Sequence, residues 1–145
     1  MIRLHNLGEV EELLSVGGAQ AVANDVAVAI APFAGIISAI FARLSTAGVT
    51  GTQNTDIKLN GATIFANSAT AIQFATGSKT PTYGALAAAN PPVVAKGDQI
   101  RLDTTAIHTT PARGLSVYIV FRRTRSAYGT QQLETDTVSS QSDTL

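Results

Sequence analysis

The stretch that decides the fold is TDIKLNGATIFA, residues Thr55–Ala66. Asn60 and Gly61 lie between two runs of alternating apolar and polar residues, the pattern of a β-hairpin with a two-residue turn. Both residues tolerate the positive φ that such a turn requires. Pairing across the turn puts Ile57, Leu59, Ala62 and Ile64 on one face, and Asp56, Lys58 and Thr63 on the other. The sequence therefore predicts a hairpin with one buried face, on which only Phe65 is out of place.

Composition limits the function classes. The 145 residues carry ten basic and ten acidic side chains, so a net charge of zero gives no electrostatic case for nucleic acid or membrane binding. The absence of cysteine excludes disulfides, thiolate catalysis and cysteine-based zinc sites. The apolar run Val26–Leu44 is broken by Pro32 and Gly35, so we expect no membrane span, and the N-terminus lacks a secretory pattern. A nearly uncharged surface favours an assembled protein.

The first 18 residues are predicted to form an arm with a short helix. Asn6 and Glu9 match a capping box, and apolar residues follow at helical spacing. That apolar side consists of Leu7, Val10, Leu13 and Leu14. A helix this short must dock, either across one end of its own domain or on a neighbouring subunit.

From Ala19 the pattern changes to that of strands. Up to Ile30, a bulky face is predicted to be core, and an alanine face to allow close approach of another layer; the bulky residues are Val22, Val26, Val28 and Ile30. Pro32 should end this strand. Gly35–Leu44 is apolar on both faces, which predicts cover on both sides, by an oligomer partner or within a compact sandwich.

Further strands are predicted near Ala71–Ala75, over Gln99–Thr105 and over Leu115–Arg123. On the last two, the inward side chains are expected to be Ile100, Leu102, Leu115, Val117, Ile119 and Phe121. Asp98 is expected to cap the turn before the second of these strands. The polar tail Ser126–Leu145 is predicted to be an arm that becomes ordered along a partner.

No catalytic pattern is present. His5 and His108 lack partners at the spacing of a metal site or an activated nucleophile, and His108 is predicted to be a loop surface residue. We therefore expect no enzyme, no cofactor and no metal. The cluster Arg122, Arg123 and Arg125 is either a solvated strand end that discourages edge pairing or a docking patch for a partner's carboxylates.

Three segments carry a resemblance to a known group of proteins. They are TGTQNTDIKLNGATIF (Thr50–Phe65), AKGDQIRLD (Ala95–Asp103) and GLSVYIVF (Gly114–Phe121). Together they resemble small jelly-roll β-sandwich proteins of tailed bacteriophage virions, which include capsid decoration (cement) proteins and base domains of head or tail fibres. The similarity covers residues 19–123. It implies a non-catalytic assembly protein that forms dimers or trimers and clamps neighbouring major capsid subunits, with terminal arms making much of the contact.

The expected fold is all-β: a jelly-roll-like antiparallel β-sandwich of about eight strands over residues 19–125, with an N-terminal helical arm (1–18) and an extended C-terminal arm (126–145). The expected function is that of a capsid decoration protein on the outer surface of the virion, made in the host cytoplasm. Its partners would be the major capsid protein and further copies of itself, with no nucleic acid and no membrane. The alternative is a fibre or receptor-binding module whose loops, Ala75–Asn90 and Ala106–Gly114, contact a glycan. The predicted contact residues are Leu7, Val10, Leu13, Leu14, Arg122, Arg123, Arg125, Tyr128 and Leu133.

Overall fold

The computed structural model describes residues 3–5, 9–88 and 90–123, and its secondary structure is almost entirely β. The strands are β1 (Arg3–His5), β2 (Glu9–Ala19), β3 (Ala23–Ile30), β4 (Gly35–Thr46), β5 (Gln53–Leu59), β6 (Ala62–Thr63), β7 (Ile72–Phe74), β8 (Thr82–Tyr83), β9 (Val93–Val94), β10 (Gln99–Ala106) and β11 (Arg113–Arg122), with one 3₁₀ turn at Ser68–Thr70. Sheet A has the order β1-β2-β11-β4-β9. Sheet B has the order β3-β10-β5-β7-β8, and β6 pairs with β5. All paired strands are antiparallel.

The two sheets share one hydrophobic core, as in a β-sandwich. The inward side chains of the two central strands, β11 and β10, are fully buried as predicted: Leu115, Val117, Ile119, Phe121, Ile100 and Leu102. They belong to a single cluster with Leu44 of sheet A and Ile57 of sheet B. The turn before β10 is also as predicted, because the amide of Ala95 donates to Oδ2 of Asp98 at 2.8 Å. The all-β antiparallel architecture is therefore confirmed.

The hairpin at Asn60-Gly61 has the predicted register. Leu59 pairs with Ala62 and Lys58 with Thr63, and the two turn residues have φ of 50° and 89°. Phe65 is buried, although strict alternation along the hairpin would place its side chain on the polar face. The reason is that β6 ends at Thr63, so the chain beyond it no longer alternates about the sheet.

The predicted N-terminal helix is wrong for the described residues, because Glu9–Ala19 is strand β2. The capping-box match and the spacing of Val10, Leu13 and Leu14 favoured a helix. In the structure these residues alternate about a strand, so that Val10 and Leu14 are buried and Val16 is half-buried. β2 pairs with β11 along almost its whole length, from Glu9 opposite Arg122 to Ala19 opposite Arg113. A long paired strand satisfies more of the backbone than a short isolated helix, which is marginal in water.

Strand β3 has the opposite orientation to the one predicted. The alanines point inward: Ala29 lies opposite Ile100 and is buried, and Ala31 is 1% exposed. Val28 and Ile30 point outward and are about half exposed at 49% and 50%, whereas Val26 is partly buried and packs against the core. The large inward side chains of β10 already fill this part of the core, so small side chains suffice on β3. Pro32 follows the strand, as expected.

Strand β4 is covered on one face only. Leu44 is fully buried, whereas Phe41 is 59% exposed on the other face, so the compact-sandwich alternative does not explain its two apolar faces. Beyond its short pairing with β9, the edge of β4 is partly blocked by loop groups. The amide of Ala42 donates to the Tyr83 hydroxyl at 2.8 Å, and that of Leu44 to the Lys79 carbonyl at 2.9 Å.

Gly35 allows β4 to approach the end of β11 closely, which yields a stability prediction. A Cβ at this position would lie 2.1 Å from the carbonyl oxygen of Arg122, a backbone atom that cannot rotate away. We expect Gly35→Ala to lower the free energy of unfolding by about 1–3 kcal/mol, measured by urea denaturation. The matched control is Gly17→Ala on β2, where a Cβ would meet nothing within 4 Å and the change should be within about 0.5 kcal/mol. Equal effects of the two substitutions would contradict the close approach.

Candidate interaction surface

The outer face of sheet A carries a row of exposed large apolar side chains. Tyr118 of β11 lies directly opposite Leu13 of β2 and Phe41 of β4. Directly opposite residues of antiparallel strands project to the same face, so the three side chains form one continuous row across three strands. Their exposed fractions are 40% for Leu13, 43% for Tyr118 and 59% for Phe41. We call these three residues the apolar row.

Open depressions lie on both sides of Phe41. One, of about 500 Å³, borders Tyr118 and includes Arg43, Ser45 and Ser116. The other, of about 410 Å³, is lined by Phe41, Val120 and a charged group that consists of Glu9, Glu11 and Arg122. The apolar row therefore has a basic and hydroxyl-bearing border on one side and a mixed-charge border on the other. This arrangement, an apolar centre with a polar rim, is typical of protein–protein contact surfaces.

Arg122 and Arg123 are the described residues of the predicted arginine cluster, and both lie at the end of sheet A where Glu9 begins β2. Arg122 is exposed and is opposite Glu9 on β2. The guanidinium carbon of Arg123 lies 4.4 Å from the centre of the Phe33 ring, a cation–π contact. Arg122 therefore borders the outer face, and Arg123 packs on the ring of Phe33.

The predicted contact residues are divided by the structure. Leu13, Arg122 and Arg123 are on the surface, whereas Val10 and Leu14 are buried in the core and support the fold. The remaining predicted residues lie outside the described ones: Leu7, Arg125, Tyr128 and Leu133. Sequence reasoning missed Phe41 and Tyr118 as surface residues. Their signal was present, since both occupy the parity opposite to the fully buried residues of their strands.

The outer face of sheet B is polar and internally bonded. Asp56 and Asp103 are directly opposite each other on β5 and β10, and both are buried. Nζ of Lys58 lies 2.8 Å from Oδ2 of Asp103, whose Oδ1 accepts the Asp25 amide at 2.8 Å. The Thr63 hydroxyl donates to Oδ1 of Asp56 at 2.5 Å, and among the described residues Oδ2 of Asp56 has no partner.

The pKa values of the two carboxyl groups are shifted in opposite directions. Burial raises the pKa of Asp56 above its ordinary value of 3.8, and the hydrogen bond from Thr63 only partly opposes this. Burial is also the largest single influence on Asp103, but the Lys58 ammonium and the Asp25 amide together outweigh it and lower the pKa. The pKa of Lys58 is raised, chiefly by its hydrogen bond to Asp103. Lys58 thus forms its ion pair with Asp103 and not with Asp56.

His108 is buried, so its prediction as a loop surface residue is wrong. Its side chain is 1% exposed, and its imidazole packs against Gly48, where a Cβ would lie 2.2 Å from Nδ1. Only a glycine leaves room for the ring at that point. Neither ring nitrogen has a hydrogen-bond partner in the described part of the chain.

Within residues 3–5, 9–88 and 90–123, no group of three or more His, Asp or Glu side chains is arranged to hold a metal ion. No helix in the same residues is long and apolar enough to cross a membrane. No family model, curated protein or solved structure matches this chain. The geometry of the outer faces is therefore the basis for a functional proposal.

The opposite pKa shifts predict opposite effects of two similar substitutions. Asp103 has a lowered pKa, so its ionised form contributes stability above pH 4 that is lost as the pH falls through the folded-state pKa. Asp56 has a raised pKa, so its stabilisation is present at low pH and is lost as the pH rises through the folded-state pKa. We expect Asp103→Asn to cost about 1–3 kcal/mol at pH 7 and progressively less below pH 4.

Asp56→Asn serves as the matched comparison. It should cost little at pH 7 or raise the free energy of unfolding, because it removes a poorly solvated charge opposite Asp103. Urea denaturation of both variants between pH 3 and pH 7 measures the difference. An Asp56→Asn variant destabilised at pH 7 as much as Asp103→Asn would contradict the assignment.

Proposed function

We propose that this protein is a capsid decoration (cement) protein of a tailed bacteriophage, with a jelly-roll β-sandwich that attaches to the outside of the shell through the outer face of sheet A. The observation that carries the proposal is the apolar row, in which Leu13, Tyr118 and Phe41 are exposed side by side on one face of sheet A. Contiguous apolar surface with a polar rim marks a site of protein–protein contact. The resemblance of residues 19–123 to virion proteins supplies the class of partner, the major capsid protein.

The protein would act by bridging neighbouring capsid subunits and not by catalysing a reaction. Phe41 lies at one end of the apolar row, lines both depressions and is the most exposed residue of the row, so it would enter a recess on the shell between the two depressions as the anchor. Aromatic residues at the centre of an interface commonly contribute most of its binding energy. Arg122 and Arg43 lie at the border, where they would select carboxylates on the partner. Arms outside the described residues would add contacts, and several modest contacts together would resist the outward pressure of packaged DNA.

The alternative function, glycan recognition by loops of a fibre module, has less support. Tyr83, the aromatic residue of the first loop region, accepts the Ala42 amide through its hydroxyl and so closes the edge of β4. His108, the histidine of the second loop region, is buried. The aromatic ring and the imidazole that these loops would offer to a sugar are thus engaged or covered.

The anchor role of Phe41 gives the first functional prediction. Phe41→Ser should leave folding nearly unchanged, because the ring is mostly exposed, but should weaken attachment to phage heads roughly 30-fold, equivalent to about 2 kcal/mol. Co-sedimentation with heads that lack the protein measures the affinity. The control is Val93→Ser, which removes a 72% exposed side chain from β9, outside the apolar row. Equal affinities of wild type and Phe41→Ser would remove this face from the proposal.

The role of Arg122 is tested through ionic strength. Arg122→Gln should weaken attachment several-fold at about 0.05 M salt and have little effect at about 0.5 M, because salt screens exposed ion pairs. Arg113→Gln, which neutralises an exposed arginine at the opposite end of the same strand, is the control. An Arg122→Gln effect that is independent of salt would contradict docking on carboxylates.

A further inference from the structure

Strand β3 ends sheet B with an open backbone edge. In the described part of the chain it pairs with β10 and with no strand on its other side. Ala31 is bonded towards β10, since its amide donates to the Asp98 carbonyl at 2.8 Å and its carbonyl accepts the Gly97 amide at 3.0 Å. Backbone groups alternate in direction along an antiparallel strand. The amides and carbonyls of Val28 and Ile30 therefore point away from β10, into the open edge.

The same two residues expose their side chains. Val28 and Ile30 are 49% and 50% exposed, although both are large and β-branched. Residues 26–30 contain neither a charge nor a proline, which are the usual devices that prevent an edge strand from pairing with another chain. The β4 edge, in contrast, is partly blocked by Tyr83 and Lys79. The β3 edge thus offers both hydrogen-bonding groups and apolar side chains to a further strand.

The ends of this open edge limit its register. On one side Asp25 has a φ of 53° and lies at an irregularity in the pairing with β10, and on the other side Pro32 cannot donate a hydrogen bond. The regular part between them is centred on Val28. A second β3 in antiparallel orientation matches this segment about a twofold axis through Val28, with Ile30 opposite Val26 of the other copy.

Charge supports the same orientation. In this register, Asp25 of one copy lies beside Ala31 of the other copy, and the turn that contains the exposed Lys96 is bonded to Ala31 through Gly97. Antiparallel pairing therefore adds a lysine at each end of the interface, near a carboxylate that already forms an ion pair with Arg101 of its own copy at 3.3 Å. Parallel pairing would instead place Asp25 beside Asp25.

We propose that the β3 edge is a homodimer interface, in which two copies pair Val28 with Val28 and join their B sheets into one continuous sheet. The interface is isologous, because both copies use the same residues. This pairing does not depend on the proposed attachment to a capsid.

The pairing also has a consequence for the outer face of sheet A. The twofold axis of an antiparallel strand pair is perpendicular to the sheet, so equivalent faces of the two copies point in the same direction. Both apolar rows of the dimer would therefore face one surface, and a single dimer would be bivalent towards it.

A charge-swap experiment tests the twofold pairing, because each substituted residue would face its own copy. The wild type should sediment at twice the monomer mass of 15.0 kDa at micromolar concentration. Val28→Lys and Val28→Glu should each sediment as monomers at micromolar concentration, since like charges directly opposite each other destabilise a strand pair. The lysine variant should dissociate more completely, because Arg101 lies directly opposite residue 28 on β10 and offsets part of the repulsion between two glutamates. An equimolar mixture of the two variants should recover dimers that contain one copy of each, which native mass spectrometry identifies.

The controls are Val93→Lys and Val93→Glu, which place the same charges on an exposed valine of sheet A and should stay dimeric. Circular dichroism confirms that each variant is folded. A wild type that is monomeric at about 0.1 mM, or dimers that persist in both Val28 variants, would overturn the interface. Monomeric variants that do not combine on mixing would overturn the register about Val28. These measurements use no capsid, so their failure is distinct from failure of the proposed function.

Discussion

The structure depends on the packing of two central strands, β10 and β11, across the gap between the sheets. Their inward side chains are fully buried, and each such side chain contributes about 1.5–3 kcal/mol relative to an exposed one. Each strand has a partner on both sides, so the same residues that form the core also hold the backbone ladder together. The core therefore does not require the outer face of sheet A, which can carry Phe41 and Tyr118 on its surface.

The parts of the fold that were predictable from sequence are those where local pattern and tertiary environment agree. The hairpin at Asn60-Gly61 and the alternation of Leu115–Phe121 were both found as expected, because the turn type and the two-residue period of a strand depend on residues adjacent in sequence. Two errors had a tertiary origin. The β2 strand depends on pairing with β11, which is distant in sequence, and the inversion of β3 depends on how much room Ile100 leaves in the core.

The candidate surface was only partly visible in the sequence for the same reason. Leu13 was selected from a helical pattern that does not exist, yet it lies on the exposed face, whereas Val10 and Leu14 from the same pattern are core residues. Strand pairing alone brings Leu13, Tyr118 and Phe41 together, since they are far apart along the chain. His108 shows the converse case: the room for its ring comes from Gly48, which no local pattern around His108 reveals.

The Tyr83 hydroxyl bound to the Ala42 amide has a consequence for how the protein can assemble. A molecule with two complementary open edges could add copies head to tail without limit, which leads to fibrils. Among the described residues the β4 edge of sheet A is partly obstructed while the β3 edge of sheet B is open, so these two edges cannot pair with each other along their whole length. Pairing of β3 with β3 would use the open edge of both copies, so growth through these two edges would stop at two copies.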